Sequence, residues 1–168
     1  MATITFKGSP LQTIGTIPPL GTTAPAFSLC NTDLQDVGLD AFAGKKKVVS
    51  IVPSLDTGIC AMSAVRFNKD VGNLGDTVIL NISADLPFAA KRFCDAEKLD
   101  HIVSLSTFRA PDFGGTYGVT ITEGPLKGIL SRAVLVLDQN NQVVYADQVP
   151  EIAQEPDYDA VLAAVKGC

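Results

Sequence analysis

No apolar run in this 168-residue chain approaches the roughly 20 residues that a helix needs to cross a bilayer, so a membrane span is not expected. Basic residues are also scarce. Thirteen Lys and Arg stand against 18 Asp and Glu, for a net charge of −5. Nucleic-acid binding needs clustered cations, and Lys45-Lys46-Lys47, the only basic run, reads as a solvated lead-in to a strand. Histidine occurs once, at His101, and cysteine four times, at Cys30, Cys60, Cys94 and Cys168, with no C-x-x-C among them. That inventory leaves no dithiol redox motif, no zinc-ligand set and no disulfide-stapled scaffold, so neither metal nor cofactor is expected. A Cys–His hydrolase would have to use His101 as its base, and nothing in the sequence places that residue beside a cysteine. The opening Met1-Ala2-Thr3-Ile4-Thr5-Phe6-Lys7 alternates like a strand and lacks the apolar core of a secretory signal, which gives the expectation of a cytoplasmic protein. Ile17-Pro18-Pro19-Leu20-Gly21 is a short proline-stiffened linker, but with no internal repeat, low-complexity tract or second-domain boundary, residues 1–168 read as one domain, long enough to bury a core.

What is present is organised around Val48 to Leu74. The apolar run Val48-Val49-Ser50-Ile51-Val52 reads as a buried strand and meets Pro53. A polar loop, Ser54-Leu55-Asp56-Thr57-Gly58, leads to Ile59-Cys60, and then Ala64, Phe67, Val71 and Leu74 recur at helical spacing. Cys60 therefore sits in the first turn of a helix, where unpaired N–H groups and the helix dipole favour a thiolate over a thiol. Thr57, three residues earlier, is positioned to donate its hydroxyl to the sulfur, while Pro53 removes a competing donor and stiffens the loop. Spacing alone leaves a buried core cysteine equally open, because free Cys packs as a small hydrophobe.

Pro53, Thr57 and Cys60 form a P-x3-T-x2-C pattern that resembles the peroxidatic loop of the peroxiredoxins. Pro53 through Cys60 is similar to the thiol peroxidase branch of that family. So are Ser83-Ala84-Asp85-Leu86-Pro87-Phe88 with Arg92-Phe93-Cys94, Ser106-Thr107-Phe108-Arg109, Gly124-Pro125-Leu126-Lys127-Gly128 leading to Arg132, and Glu155-Pro156-Asp157-Tyr158. The matches run in order over essentially the whole chain.

The remaining elements read in sequence. Thr3 to Lys7 and Leu11 to Ile14 suggest a hairpin turning at Gly8-Ser9-Pro10. Phe27 to Cys30 is a short strand, and Asp40 to Gly44 one helical turn ended by Gly. Thr77 to Ser83 is a second buried strand, Pro87 opens a helix to about Leu99, and Val103 to Ser106 is extended. Asp112 to Tyr117 is a weak helix interrupted by Gly114-Gly115. Ile129 to Leu137 and Gln142 to Ala146 form a hairpin about Asn140-Asn141, and Pro156 opens the last helix. This α/β alternation, with the resemblance, implies a thioredoxin-like fold: a central mixed sheet flanked by helices, plus an N-terminal β-hairpin.

The resemblance also implies a reaction. The Cys60 thiolate reduces a hydroperoxide, hydrogen peroxide or organic, and becomes a sulfenic acid. Pro53, Thr57 and Arg132 bind the substrate, Cys94 resolves the sulfenic acid as a Cys60–Cys94 disulfide, thioredoxin is the reductant, and the protein is a homodimer. Arg132 interrupts a largely apolar strand, where an unpaired charge is costly. Arg109 is a second possible cation. On helical spacing Ala89, Phe93 and Ala96 face inward and leave Cys94 at a boundary, as would a merely half-buried cysteine. Leu55, Ile59 and Phe88 are the apolar neighbours expected at the site, and a non-catalytic thiol sensor on the same fold is the rival reading.

Overall fold

The computed structural model describes residues 1–168. The chain opens with a two-stranded antiparallel hairpin, β1 (Thr3–Phe6) and β2 (Ser9–Gln12). Lys7 and Gly8 make its turn at φ of 51° and 79°, so the two-residue loop with both φ positive closes earlier than expected. Ser9 and Pro10 consequently belong to the strand, a place where an edge tolerates proline.

The main sheet holds β3 (Leu29–Cys30), β4 (Asp36–Val37), β5 (Lys46–Ile51), β6 (Thr77–Ser83), β7 (Ile102–Ser106), β8 (Ala133–Leu137) and β9 (Val143–Gln148). Their order is β4-β3-β7-β6-β5-β8-β9. β5, β6 and β7 run parallel, while β3, β8 and β9 join antiparallel to their neighbours, which makes the sheet mixed. Four helices accompany it: α1 (Gly58–Val71), α2 (Pro87–Glu97), the single turn α3 (Phe113–Thr116) and α4 (Tyr158–Gly167).

Strand alternation divides the apolar residues between two faces. Val48, Ile79, Val134 and Val136 pack against Phe67 and Val71 of α1 and Val161 and Val165 of α4. The other face, with Val49, Ile51, Leu80, Ile82 and Leu135, is covered by Phe113, Tyr117, Val119 and Leu130. Phe27, Phe113 and Tyr117 form an aromatic cluster there, and the buried Tyr117 hydroxyl donates to the Pro25 carbonyl at 2.7 Å.

Several features differ from the sequence reading. α1 ends at Val71, with Gly72 as its C-cap donating its N–H to the Asn68 carbonyl, and leaves Leu74 partly buried beyond the helix. Gly114 does not interrupt α3: a side chain there would collide with Thr120 and Leu130, so glycine allows the close approach. β8 starts at Ala133, not Ile129; its ladder with β5 stops at the Ile51–Ala133 pair, just ahead of Pro53, which has no N–H to extend it. Arg132 thus lies immediately before an interior strand. In α2 the fully buried residues are Pro87 and Ala90, with Phe93 half-buried and Ala96 exposed; Ala89 and Ala96 do not define its inward face.

Candidate active site

The strand–loop–helix unit places Cys60 in the first turn of α1, fully shielded from solvent and packed against Val52, Leu55 and Ala90, with Phe93 alongside. Thr57 is the helix N-cap. Its hydroxyl accepts from the Cys60 N–H at 3.3 Å and donates to the Ser54 carbonyl at 3.2 Å. Donation to the sulfur was the expectation. The hydroxyl instead satisfies one of the orphan donors of the helix end, and so fixes the backbone that carries Cys60.

The cation beside the sulfur is Arg132, 98% buried. Its Nη2 donates to Cys60 Sγ at 3.3 Å, and its Nε donates to the Ile152 carbonyl at 3.1 Å. Nη1 is buried with no hydrogen-bond partner. A buried donor left free is costly, and here it points to a polar atom that arrives with a ligand. Arg132, Pro53, Thr57 and Ile59 line a cleft of about 250 Å³, whose remaining wall is largely apolar and includes Phe6 and Ile152. Helix N-terminus and guanidinium together place positive charge beside Cys60 Sγ and can stabilise negative charge developing next to it.

Of the other residues singled out by sequence, Leu55 packs on Cys60 but Phe88 is 68% exposed and outside the cleft. Arg109 is not brought to Cys60. It pairs with Asp36 at 2.8 Å and donates to the Leu34 carbonyl beside β4 at the sheet's edge. His101 lies against Asn68 and Gly72, at the far end of α1, which removes it as a base for Cys60. Cys30 is buried in β3, and Cys168 is exposed.

Cys94 is half-buried on α2, its Sγ 3.2 Å from Ser104 Oγ on β7. Burial pushes this thiol up from its ordinary pKa, and the Ser104 hydroxyl partly offsets the shift. Cys60 and Cys94 are both free, on separate helices whose nearest common packing is through Ala90 and Phe93. Sequence reasoning did not single out Ile152, whose carbonyl anchors Arg132; Asp85 stood only within the Ser83–Phe88 stretch of the resemblance and was given no role, yet its carboxylate accepts from Ser54 Oγ at 2.9 Å and from the Leu55 N–H at 2.7 Å. The signal for Asp85 was slight: an acid in the short junction between a buried strand and a proline-led helix.

A mixed sheet with a thiol at the first turn of the helix after a central parallel strand, and a cation folded onto the sulfur, defines a thioredoxin-like thiol redox protein. Comparison with known proteins narrows this. The Redoxin family model matches residues 19–162. A thiol peroxidase of Mycobacterium bovis is 46% identical over 165 residues, covering 98% of this chain and 99% of that protein. The chain therefore belongs to the Redoxin family and, within it, to the thiol peroxidase branch of the peroxiredoxins, a class of peroxidase enzymes. Among solved structures, a peroxiredoxin-like protein from Aquifex aeolicus superposes with a TM-score of 0.93 at 38% identity, covering 99% of this chain and 97% of its own. A thiol peroxidase from Chromobacterium violaceum gives 0.88 at 27% identity, with 98% and 95% covered.

Proposed function

We propose that the chain reduces hydrogen peroxide and organic hydroperoxides through Cys60, with Cys94 as the resolving thiol. The carrying observation is the Arg132 guanidinium, which reaches Cys60 Sγ with Nη2 and keeps a buried Nη1 donor free beside it. The thiolate attacks the distal peroxide oxygen, the S–O bond forms as O–O breaks, and the electron pair leaves on the proximal oxygen. That oxygen takes up a proton and departs as an alcohol or water. The free Nη1 donor offers the peroxide a partner that strengthens as charge builds, the form of stabilisation that raises a rate rather than an affinity. Pro53 and Thr57 hold the other side of the bound substrate, and the apolar wall of the cleft accommodates an organic substituent.

The Cys60 sulfenic acid then condenses with the Cys94 thiol, releasing water and forming the disulfide. Closing a loop of 34 positions is entropically reasonable, worth roughly 3–4 kcal/mol in the unfolded chain. The two Cα atoms must approach to within about 7 Å, so the first turn of α1 and the segment around Cys94 unwind during the cycle. A dithiol reductant, thioredoxin in this reading, returns both thiols by exchange. The exposed apolar side chains Leu86 and Phe88, at the start of α2, support a homodimer, and the cytoplasm supplies the reductant such a cycle needs.

The test is peptide mapping after one equivalent of peroxide, with free thiols blocked and no reductant present. A single Cys60–Cys94 linkage supports the cycle. Cys60 persisting as sulfenic acid, or paired with Cys168 of another chain, overturns it. Sustained turnover with excess peroxide and thioredoxin then separates an enzyme from a thiol sensor.

A further inference from the structure

One carboxylate outside the cleft is tied to both moving segments. Asp85 lies between the end of β6 at Ser83 and the start of α2 at Pro87. Its Oδ1 accepts from Ser54 Oγ at 2.9 Å; its Oδ2 accepts from the Leu55 N–H at 2.7 Å and from Ser83 Oγ at 2.8 Å. Its own N–H donates to Ser83 Oγ at 3.3 Å, and its carbonyl accepts from Ser106 Oγ on β7 at 2.6 Å. The contacts continue to the reacting sulfur. Ser54 offers its carbonyl to the Thr57 hydroxyl and N–H, Thr57 caps the N–H of Cys60, and Leu55 packs on Cys60 from within the core. On its other side, Asp85 is two residues from the first residue of the helix that carries Cys94.

We infer that Asp85 is a positioning residue that latches the Ser54–Thr57 loop to the base of α2, and thereby sets how the Cys60 sulfenic acid is partitioned. This rests on the cycle proposed above. With the latch closed, the capped helix holds Cys60 against Arg132, the arrangement that reacts with peroxide. With it open, the loop and the foot of α2 separate and the two sulfurs can meet. The sulfenic acid has two fates. It condenses with the Cys94 thiol, giving the disulfide and water, or it meets a second hydroperoxide, which is reduced to alcohol or water while the sulfur becomes a sulfinic acid. Only the first requires the latch to open. A tighter latch therefore favours both the initial peroxide reaction and overoxidation, and a looser one favours the bridge.

Two substitutions grade the effect. Asp85→Ala removes all three acceptor contacts and leaves the Leu55 N–H without a partner. Asp85→Asn keeps the shape. With its carbonyl oxygen toward Leu55 and Ser83, its amide faces Ser54, whose hydroxyl can accept, so only the charge is lost. In rapid-mixing experiments on the reduced full-length protein, Asp85→Ala is expected to form the Cys60–Cys94 disulfide about tenfold faster after sulfenic acid formation, and to react with peroxide about tenfold more slowly, the effect of losing one hydrogen bond to a charged group. Its sulfinic fraction at high peroxide falls, and Asp85→Asn lies between it and the wild type. Val165→Ala, in the α1–α4 core, serves as a control that lowers the melting temperature without touching the latch.

Opposite shifts in the two steps for Asp85→Ala, absent in Val165→Ala, support the latch. An unchanged partition in Asp85→Ala, or the same shift in Val165→Ala, overturns it. A wild-type protein that forms no Cys60–Cys94 bridge overturns the underlying cycle instead, and is told apart by the mapping of the unmutated chain.

Discussion

Arg132 divides its guanidinium between two tasks: Nε is anchored by the Ile152 carbonyl at 3.1 Å and Nη2 reaches Cys60 Sγ at 3.3 Å, which leaves Nη1 aimed at neither. A planar fork with fixed donor directions can do this, whereas a lysine ammonium is a single point of charge. Arg132→Lys is therefore expected to keep a cation near the sulfur but lose the anchored geometry. The predicted fall in kcat/KM for peroxide is about 10²–10³-fold, the scale for removing one preorganised donor, and Arg132→Met should lose at least as much. Stopped-flow oxidation of Cys60 measures it directly. A Lys variant within twofold of wild type would show that charge alone suffices.

Thr57 acts through the helix end rather than through the sulfur, and the two roles separate under substitution. Thr57→Ser retains the hydroxyl that caps Cys60, and should keep both stability and peroxide reactivity. Thr57→Val keeps the shape but not the cap, and is expected to cost about 1 kcal/mol. Its signature is faster hydrogen exchange at the amides of Cys60 and Ala61, measured with the protein reduced, together with slower peroxide reduction. Equal exchange in Thr57→Val and wild type would refute the capping role.

Local pattern carried much of the fold. Thr77–Ser83 is a strand over the very residues that the apolar run indicated, and the loop-to-helix step at Cys60 was legible from Pro53, the polar loop and the helical spacing that follows. The inward phase of α2 was not. Ala89, Ala90 and Ala96 are too small and too closely spaced to mark a face, and packing of Ala90 against Cys60 decided it. Arg132 was legible from the family resemblance and from its place in a largely apolar run, but its partner was not. It lies 72 positions from Cys60, and no local pattern says which group a charge in such a run will meet, whereas Arg109 is held by Asp36 at the sheet's edge. Asp85 shows the same limit: hydrogen bonds joining segments 30 positions apart are tertiary facts with no local periodicity.

In the proposed cycle, the Cys94–Ser104 contact should make the resolving step sensitive to pH in a definite direction. Burial raises the thiol's pKa, so the thiolate that attacks a sulfenic acid is scarce at neutral pH and grows as pH rises. Disulfide formation should therefore accelerate by close to tenfold for each pH unit below that pKa, provided the chemical step limits the rate. Ser104→Ala removes a hydrogen bond that favours the thiolate and should shift this profile to higher pH. Cys94→Ser should abolish the intramolecular bridge while leaving the first oxidation of Cys60 intact. A pH-independent resolving rate would mean that local unwinding, not thiolate supply, sets the pace.

Glu151 links the N-terminal hairpin to the site, and its protonation should loosen that link in acid. Its carboxylate accepts from the Thr5 hydroxyl at 2.7 Å and from the N–H groups of Lys7, Gly8 and Ala153 at 3.1, 3.2 and 3.2 Å. The Thr5 hydroxyl first, then the backbone donors, hold its pKa down to about 2 against the usual 4.5. A carboxylate depressed on folding contributes stability that is fully present above its unfolded pKa and lost as pH falls through the folded one. The loss therefore falls between about pH 4.5 and 2. Glu151→Gln should unfold at lower urea than wild type at pH 7, and the difference should narrow across that window as the wild-type carboxylate is protonated. The consequence for activity follows from position. Phe6 of the hairpin lines the cleft, and Ile152, next to Glu151, supplies the carbonyl that anchors Arg132. Peroxide reactivity of Glu151→Gln at neutral pH should accordingly fall with no change in the Cys60–Cys94 linkage. Equal urea unfolding of Glu151→Gln and wild type at pH 7 would show that the hairpin is held by the Ile4, Leu11, Ile121 and Ile152 packing alone.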